Sequence, residues 1–272
     1  MLANVLNKNN EHTRDKNIIF YDEGHKYDIL IDREHKYTSV TTFLHSHFPK
    51  FDSDKIIHNI MNGKNWNDQN KYWGKTKEEI KQMWNMNGST VAQAGTDLHF
   101  RIECFMNNPD ISFPYNHKDL LDYYELHKKE EAVIEPLEWE YFIHFVNEYP
   151  SMKPYRTEWI IYHEDKKLAG SIDMVYENED GTLSIYDWKR SKEITRINKW
   201  NKYAITREIC EIPDTNFWHY ALQLNTYKMI LEEKYNKVVR DLYLVRLHPD
   251  AEENNYELIQ IPDLQAELKK II

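Results

Sequence analysis

The stretch "GSIDMVYENEDGTLSIYDWKRSKEI", residues 170–194, reads as two short strands joined by a tight turn, with charged groups where such strands ordinarily carry apolar side chains. Successive side chains of a strand point to opposite faces, so Leu183, Ile185, Asp187 and Lys189 share one face and Ser184, Tyr186 and Trp188 the other. One face therefore changes from apolar to charged along its length. In the preceding strand Ile172, Met174 and Tyr176 are expected on one side, with Asp173 beside Val175 on the other. Asp180-Gly181 supplies the turn chemistry of a hairpin, which makes the strands antiparallel neighbours and lets Asp173 and Asp187 approach one another. Two carboxylates brought together repel unless a cation sits between them.

The whole chain bounds what this hairpin can belong to. Its 272 residues are enough for one large domain or two small ones with a real hydrophobic core. Only two cysteines occur, Cys104 and Cys210, and neither has a CxxC partner. That count supports neither a disulfide framework nor a cysteine-held zinc or iron–sulfur site, and a reducing, intracellular compartment is expected. With no long apolar run and no secretory pattern in "MLANVLNKNNEHTRDKN", a soluble protein without a membrane span is expected.

Net charge and local charge point in opposite directions. At −10 the chain should repel nucleic acid at long range, which argues against a broad nonspecific basic surface. Between residues 189 and 203, however, Lys189, Arg190, Lys192, Arg196, Lys199 and Lys202 face a single acid, Glu193. Trp200 and Tyr203 are interleaved with them, a mixture suited to holding a phosphate backbone and stacking exposed bases. A charge run taken alone is more often a solvated loop or helix face.

Outward from the hairpin, "IIFYDEGHKYDILI" (18–31) reads as a second hairpin, and "YTSVTTFL" from Tyr37 offers Ser39 as a helix N-cap. Helical pieces carrying Trp66, Trp73 and Trp84 are expected over 53–86. Val91, Ala94, Leu98, Ile102, Phe105 and Met106 fall at helical spacing, predicting a helix over 91–106. Another helix is expected over 136–148, a strand from near Arg156, a long helix over about 216–235, strands at 239–247 and 256–261, and a short C-terminal helix. This order suggests helices around a mixed sheet. Gly95 sits inside its helix at a cost of roughly 1 kcal/mol relative to Ala, which suggests a close approach there. His99 follows one turn later and Glu103 one turn after that; a histidine satisfied by Glu103 is the simpler reading of that pair. Gln223 and Tyr227, also four apart, are commonplace on a long helix.

Taken in order, Gly95…His99, Glu158, Gly170-Ser-Ile-Asp173, Asp187-Trp-Lys189 and Gln223…Tyr227 resemble the PD-(D/E)XK nuclease superfamily, and within it the RecB-like exonuclease branch. That branch is marked by a GxxxH helix, an upstream acid, GxxD, DxK and QxxxY. The resemblance covers roughly residues 91–230, and "YTSVTTFL" is further similar to the N-terminal stretch of phage and mitochondrial genome maintenance exonucleases. Two cysteines cannot build the four-cysteine iron–sulfur cluster that some relatives carry.

The resemblance implies an α/β, restriction-endonuclease-like core with a central mixed β-sheet flanked by helices. The division expected is an N-terminal hairpin and helical region over 1–90, packed on a nuclease core over 91–272. It also implies a divalent-metal-dependent deoxyribonuclease, with DNA as partner and Mg²⁺ or Mn²⁺ as cofactor. Asp173, Asp187 and the Trp188 carbonyl would be ligands, with His99 adding a nitrogen that favours Mn²⁺. Glu158 would bind a second ion or orient water. Lys189 would act on the scissile phosphate or the attacking water, and Gln223 and Tyr227 would line the site. Arg190, Lys192, Arg196, Lys199, Trp200, Lys202 and Tyr203 would hold DNA. An exonuclease acting on ends or single strands in replication, recombination or repair is expected; a structure- or sequence-specific endonuclease and a non-catalytic binding module are the alternatives.

Overall fold

The computed structural model describes residues 4–128 and 135–272. Its elements in chain order are α1 (Val5–Asn9), β1 (Ile18–Tyr21), β2 (Lys26–Ile29), β3 (Thr38–Ser39), α2 (Val40–His45), α3 (Ser53–Met61), α4 (Lys77–Met106), α5 (His117–His127) and α6 (Leu137–Glu148). They continue with β4 (Lys153–His163), β5 (Leu168–Glu177), β6 (Leu183–Lys189), α7 (Asn216–Lys234), β7 (Val239–Arg246), β8 (Glu257–Gln260) and α8 (Gln265–Leu268). The chain forms two compact units, one of residues 1–49 with 98–272, the other of residues 50–97. Among the described residues no helix is long and apolar enough to cross a membrane.

In the larger unit β5 is the hub of a mixed sheet. Strand β4 runs antiparallel along one edge of it. On the other edge β3 pairs in parallel at Leu168 and Ala169, and β6 pairs antiparallel over Met174–Glu177. Beyond β6 come β7, parallel, and β8, antiparallel. A parallel pair needs a crossover connection, and the segment from residue 190 through α7 provides it. The connection between β5 and β6 spans residues 178–182, with Gly181 at φ 78° and the Thr182 amide held by Asp180 Oδ1 at 3.0 Å. A glycine accepts that left-handed backbone at no steric cost.

Each face of the sheet buries its own cluster. Leu183 and Ile185 pack with α2 and α7 side chains such as Val40, Leu44, Leu222 and Ile230, whereas Tyr186 and Trp188 pack with Phe142 and Phe145 of α6. The alternation read from β6 is thus borne out. In β5 it breaks: Ile172 lies in the α7-side cluster with Val175, while Met174 and Tyr176 lie in the α6-side cluster. The break falls at Asp173. Across the ladder, between the pairs Thr157–Met174 and Trp159–Ile172, stands Glu158 with φ 44°, a left-handed backbone that a non-glycine residue adopts at a cost of about 1–3 kcal/mol.

Ser39 caps α2 as its sequence suggests, its hydroxyl accepting the Thr42 amide at 3.1 Å. The helix expected over 91–106 begins much earlier, at Lys77. Thr76 starts it: its amide donates to Glu79 and its hydroxyl accepts the Glu79 amide, a reciprocal cap that the apolar spacing from Val91 could not reveal. In the smaller unit Ile57, Tyr72 and Ile80 form a core with Trp66 and Trp84, and the Trp84 indole donates to the Tyr72 hydroxyl at 2.7 Å.

Candidate active site

The hairpin, the kink at Glu158 and the part of α4 in the larger unit bring their charged groups together. His99, Glu158 and Asp173 each offer a ligand atom, all within 4.8 Å of one another. His99 Nε2 lies 2.9 Å from the Trp188 carbonyl oxygen. A carbonyl only accepts, so Nε2 carries a hydrogen and Nδ1 is the ring nitrogen turned inward. That nitrogen faces Asp173 Oδ2 at 3.5 Å and Glu158 Oε1 at 4.0 Å. One imidazole nitrogen and two carboxylates thus converge, a set of ligand atoms of the kind a divalent ion takes. Asp173 is itself oriented by the Trp188 amide, which donates to Oδ2 at 3.1 Å, and Glu158 by the Ser171 hydroxyl at 3.1 Å.

Asp187 stands at the buried edge of the same group, 2 % exposed. Neither of its oxygens has a hydrogen bond of good geometry, and the Lys189 ammonium lies 2.5 Å from Oδ2. Burying a carboxylate so sparsely bonded is costly. Its pKa is pushed up to about 6, by burial first and then by the Asp173 charge, against the pull of Lys189. Glu158 is pushed up to about 8 by burial and by the charges of Asp173, Glu103 and Asp187, with the Ser171 hydrogen bond opposing. Burial alone would lower the Lys189 pKa, but Asp187 and Asp173 more than offset it and keep the ammonium charged. The Lys189 ammonium also sits 4.7 Å from the centre of the Tyr220 ring.

The GxxD and QxxxY fragments meet in three dimensions. A Cβ on Gly170 would come 2.6 Å from Cε1 of Tyr227, so only glycine lets that ring lie against β5. Gln223 donates to the Tyr227 hydroxyl at 3.0 Å and lines a cavity with Lys189. Gly95, by contrast, has no described atom within 4 Å of where its Cβ would be, so the close approach expected there is not found.

The other expected residues divide. Trp188 takes part through its backbone, its carbonyl oxygen facing His99 Nε2. Arg190 is not in the exposed arc: its guanidinium donates to Glu138 at 2.8 Å and is largely buried. Lys192 pairs loosely with Asp250 at 3.4 Å, and Arg196 lies over the Phe217 ring at 4.3 Å. Lys199, Lys202, Trp200 and Tyr203 lie on an irregular exposed segment, Trp200 being 82 % exposed. Three contributors escaped the sequence reading. Ser171 is the unremarkable x of GxxD, and Tyr220 belongs to no motif. Glu103 looked like the partner of His99, yet its charge acts on Glu158.

A family model of the PD-(D/E)XK nuclease superfamily matches residues 109–271, which hold the whole hairpin and α7, and the chain belongs to that superfamily. Membership makes it a nuclease by class, a hydrolase whose substrate is nucleic acid; nucleases of this superfamily use divalent metals, and the His99, Glu158 and Asp173 cluster is a candidate site for one. No curated protein matches the sequence individually.

Proposed function

We propose that this protein is a RecB-like, Mg²⁺- or Mn²⁺-dependent DNA exonuclease that hydrolyses phosphodiester bonds from DNA ends or in single strands, within replication, recombination or repair. The observation that carries the metal dependence is the inward Nδ1 of His99 set against the Asp173 and Glu158 carboxylates, beside the sparsely bonded oxygens of Asp187. These donors, one imidazole nitrogen among oxygens, suit a hard divalent ion and tilt the preference toward Mn²⁺. His99, Asp173, Glu158 and Asp187 would hold it. When bound, the ion supplies an acidified water and neutralises charge developing on the phosphoryl oxygens.

The chain's own residues do the rest. Asp187 keeps Lys189 charged and aimed, so that its ammonium can neutralise the scissile phosphate or orient the attacking water. Glu158, held by the Ser171 hydroxyl beside His99, would orient that water or bind a second ion. Tyr227, wedged on Gly170 and bonded to Gln223, fixes the wall beside Lys189. Lys199 and Lys202, with Trp200 and Tyr203, would guide a strand toward the site by charge and by stacking that only unpaired bases supply. Such a path on an acidic protein favours threading one strand over gripping duplex along its length, which supports the exonuclease reading and an intracellular location.

The deciding experiment incubates linear and closed circular forms of one single-stranded sequence with protein and Mn²⁺. Linear DNA is expected to be degraded while circles persist. Equal lifetimes would replace the exonuclease reading with an endonuclease one, and no cleavage of either with Mn²⁺ or Mg²⁺ would leave a non-catalytic binding module.

A further inference from the structure

Beside Lys189, on the side of the sheet occupied by α2 and α7, lies a cavity of about 350 Å³. Thr41 and His45 from α2, His219, Tyr220 and Gln223 from α7, and Lys189 itself line it. Its volume is at the lower end for ligand pockets, room for one nucleoside but not two. The lining is largely flat and polar-edged. His219 is anchored by Asp214 at 3.0 Å, with the Phe48 ring 4.1 Å and the His45 ring 5.5 Å from it, centre to centre. Tyr220 supplies another ring, bracketed by the Lys189 ammonium.

We propose that this cavity seats the nucleobase flanking the scissile phosphate, with Tyr220 and His219 as its aromatic walls and Gln223 and Thr41 as hydrogen-bond partners for the base edge. The inference rests on the reading of the chain as a nuclease, because Lys189 ties the cavity to the reacting phosphate. Whatever occupies it must be covalently next to that phosphate, since the two places share one side chain. Charge argues for a base over a terminal phosphate. Lys189 is the one permanently charged group among the lining residues, and the proposed chemistry assigns it to the scissile phosphate. Burial lowers the pKa of His219 more than Asp214 raises it, so its ring is neutral at neutral pH. With Lys189 engaged by the scissile phosphate, no second permanent cation lines the cavity for a terminal dianion, whereas a flat neutral ring with polar edges meets rings and amide or hydroxyl partners.

The test needs no variant at first. A set of linear single strands, each lacking the base at one position counted from the end, is digested by the wild-type protein with Mn²⁺. A base stacked in the cavity contributes about 1–3 kcal/mol, so removing the base next to the bond being cut should slow its cleavage about 5- to 150-fold. Removing a base several positions away should not. Tyr220→Leu and, at an exposed position, His45→Ala should narrow that gap. The cavity is read without turnover by 2-aminopurine placed at the same positions in the metal-free complex. Its fluorescence should be quenched at the flanking position and recover with Tyr220→Leu. Equal cleavage of intact and base-less substrates, or quenching without positional preference, would overturn the proposal while leaving the nuclease reading standing. A rate governed by the terminal phosphate and not the base would overturn it in favour of an anion pocket. Position-specific quenching without cleavage of any substrate would retain the base seat and remove the nuclease reading.

Discussion

Replacing Gly170 with alanine tests whether the GxxD and QxxxY fragments form one packed unit. The added Cβ would stand 2.6 Å from Cε1 of Tyr227 and 3.3 Å from Cζ and the hydroxyl oxygen, where ordinary contact begins near 3.4 Å. The ring must therefore withdraw by close to 1 Å, and it has little room: Tyr227 is 3 % exposed, on a helix whose Leu224, Ile230 and Leu231 are fully buried. Overpacking of this kind costs about 1–3 kcal/mol. Tyr227→Leu removes the obstructing ring, so Gly170→Ala should cost almost nothing in that background, and the double variant should be more stable than the sum of the single effects by about 1–3 kcal/mol. Urea unfolding of the four proteins in metal-free buffer measures this, with cleavage assayed on the same preparations. Cleavage by Gly170→Ala should fall as well, because moving Tyr227 displaces Gln223 from the wall beside Lys189. Additivity within about 0.5 kcal/mol would refute the argument, since the glycine would then be required for some other reason.

Lys189→Ala should lower cleavage by several orders of magnitude while DNA affinity, measured by anisotropy, changes little; parallel loss of both would reduce Lys189 to a backbone contact. Because Asp187 and Glu158 hold protons in the folded protein above their ordinary carboxylate range, the folded state binds more protons than the unfolded one. Metal-free stability should therefore fall as pH rises from about 4 to about 8. Glu158→Gln should raise the metal-free melting temperature at pH 8 and shrink the stabilisation produced by Mn²⁺, which in the wild type reaches about 2.7 kcal/mol at a hundredfold excess over Kd. A pH-independent metal-free melting temperature would refute that assignment. Changing Arg196, Lys199 and Lys202 together to alanine should flatten the dependence of log affinity on log salt by about two units, at about 0.7 per phosphate contact with single strands, with a melting temperature lowered only by the lost contact of Arg196 with Phe217.

Much of this was legible in the sequence because it depends on local periodicity. The β6 alternation, the Ser39 cap, the first hairpin and α7 follow from spacing and side-chain chemistry within a few residues. The hairpin acids and Lys189 were conspicuous because charge on an otherwise apolar strand face is expensive. What was not legible depends on contacts distant in sequence. Arg190 looked like another member of a basic run until Glu138, 52 residues away, took its guanidinium. Glu158 could be named only through family resemblance, because Glu164 and Asp165 follow it closely in the sequence and nothing local distinguishes the three acids. The structure separates them: Glu164 pairs with Arg14 and Asp165 with Lys234, away from the cluster. The alternation in β5 failed at Asp173 because no periodic pattern encodes a kink centred on the opposing strand.

That kink and the charge cluster are parts of one device. A regular ladder would keep Ile172 and Met174 on one face, and it is the break between them that sets Asp173 beside His99 and the Trp188 amide. The left-handed backbone at Glu158 costs free energy, and so does holding the charges of Asp173, Glu103 and Asp187 close enough to raise the Glu158 pKa. The hydrogen bonds within the cluster, from the Trp188 amide to Asp173 and from the Ser171 hydroxyl to Glu158, leave Asp187 with none of good geometry, and His99 turns Nδ1 toward the acids. A structure selected for metal-free stability alone would place amides or apolar residues there. The strain and the repulsion therefore have one common remedy, a cation held where the acceptors converge. Lys189 supplies a partial substitute from the side of Asp187, its ammonium drawn down to that carboxylate; under the metal-dependent reading proposed above, a divalent ion on the carboxylates would leave it free to approach a phosphate.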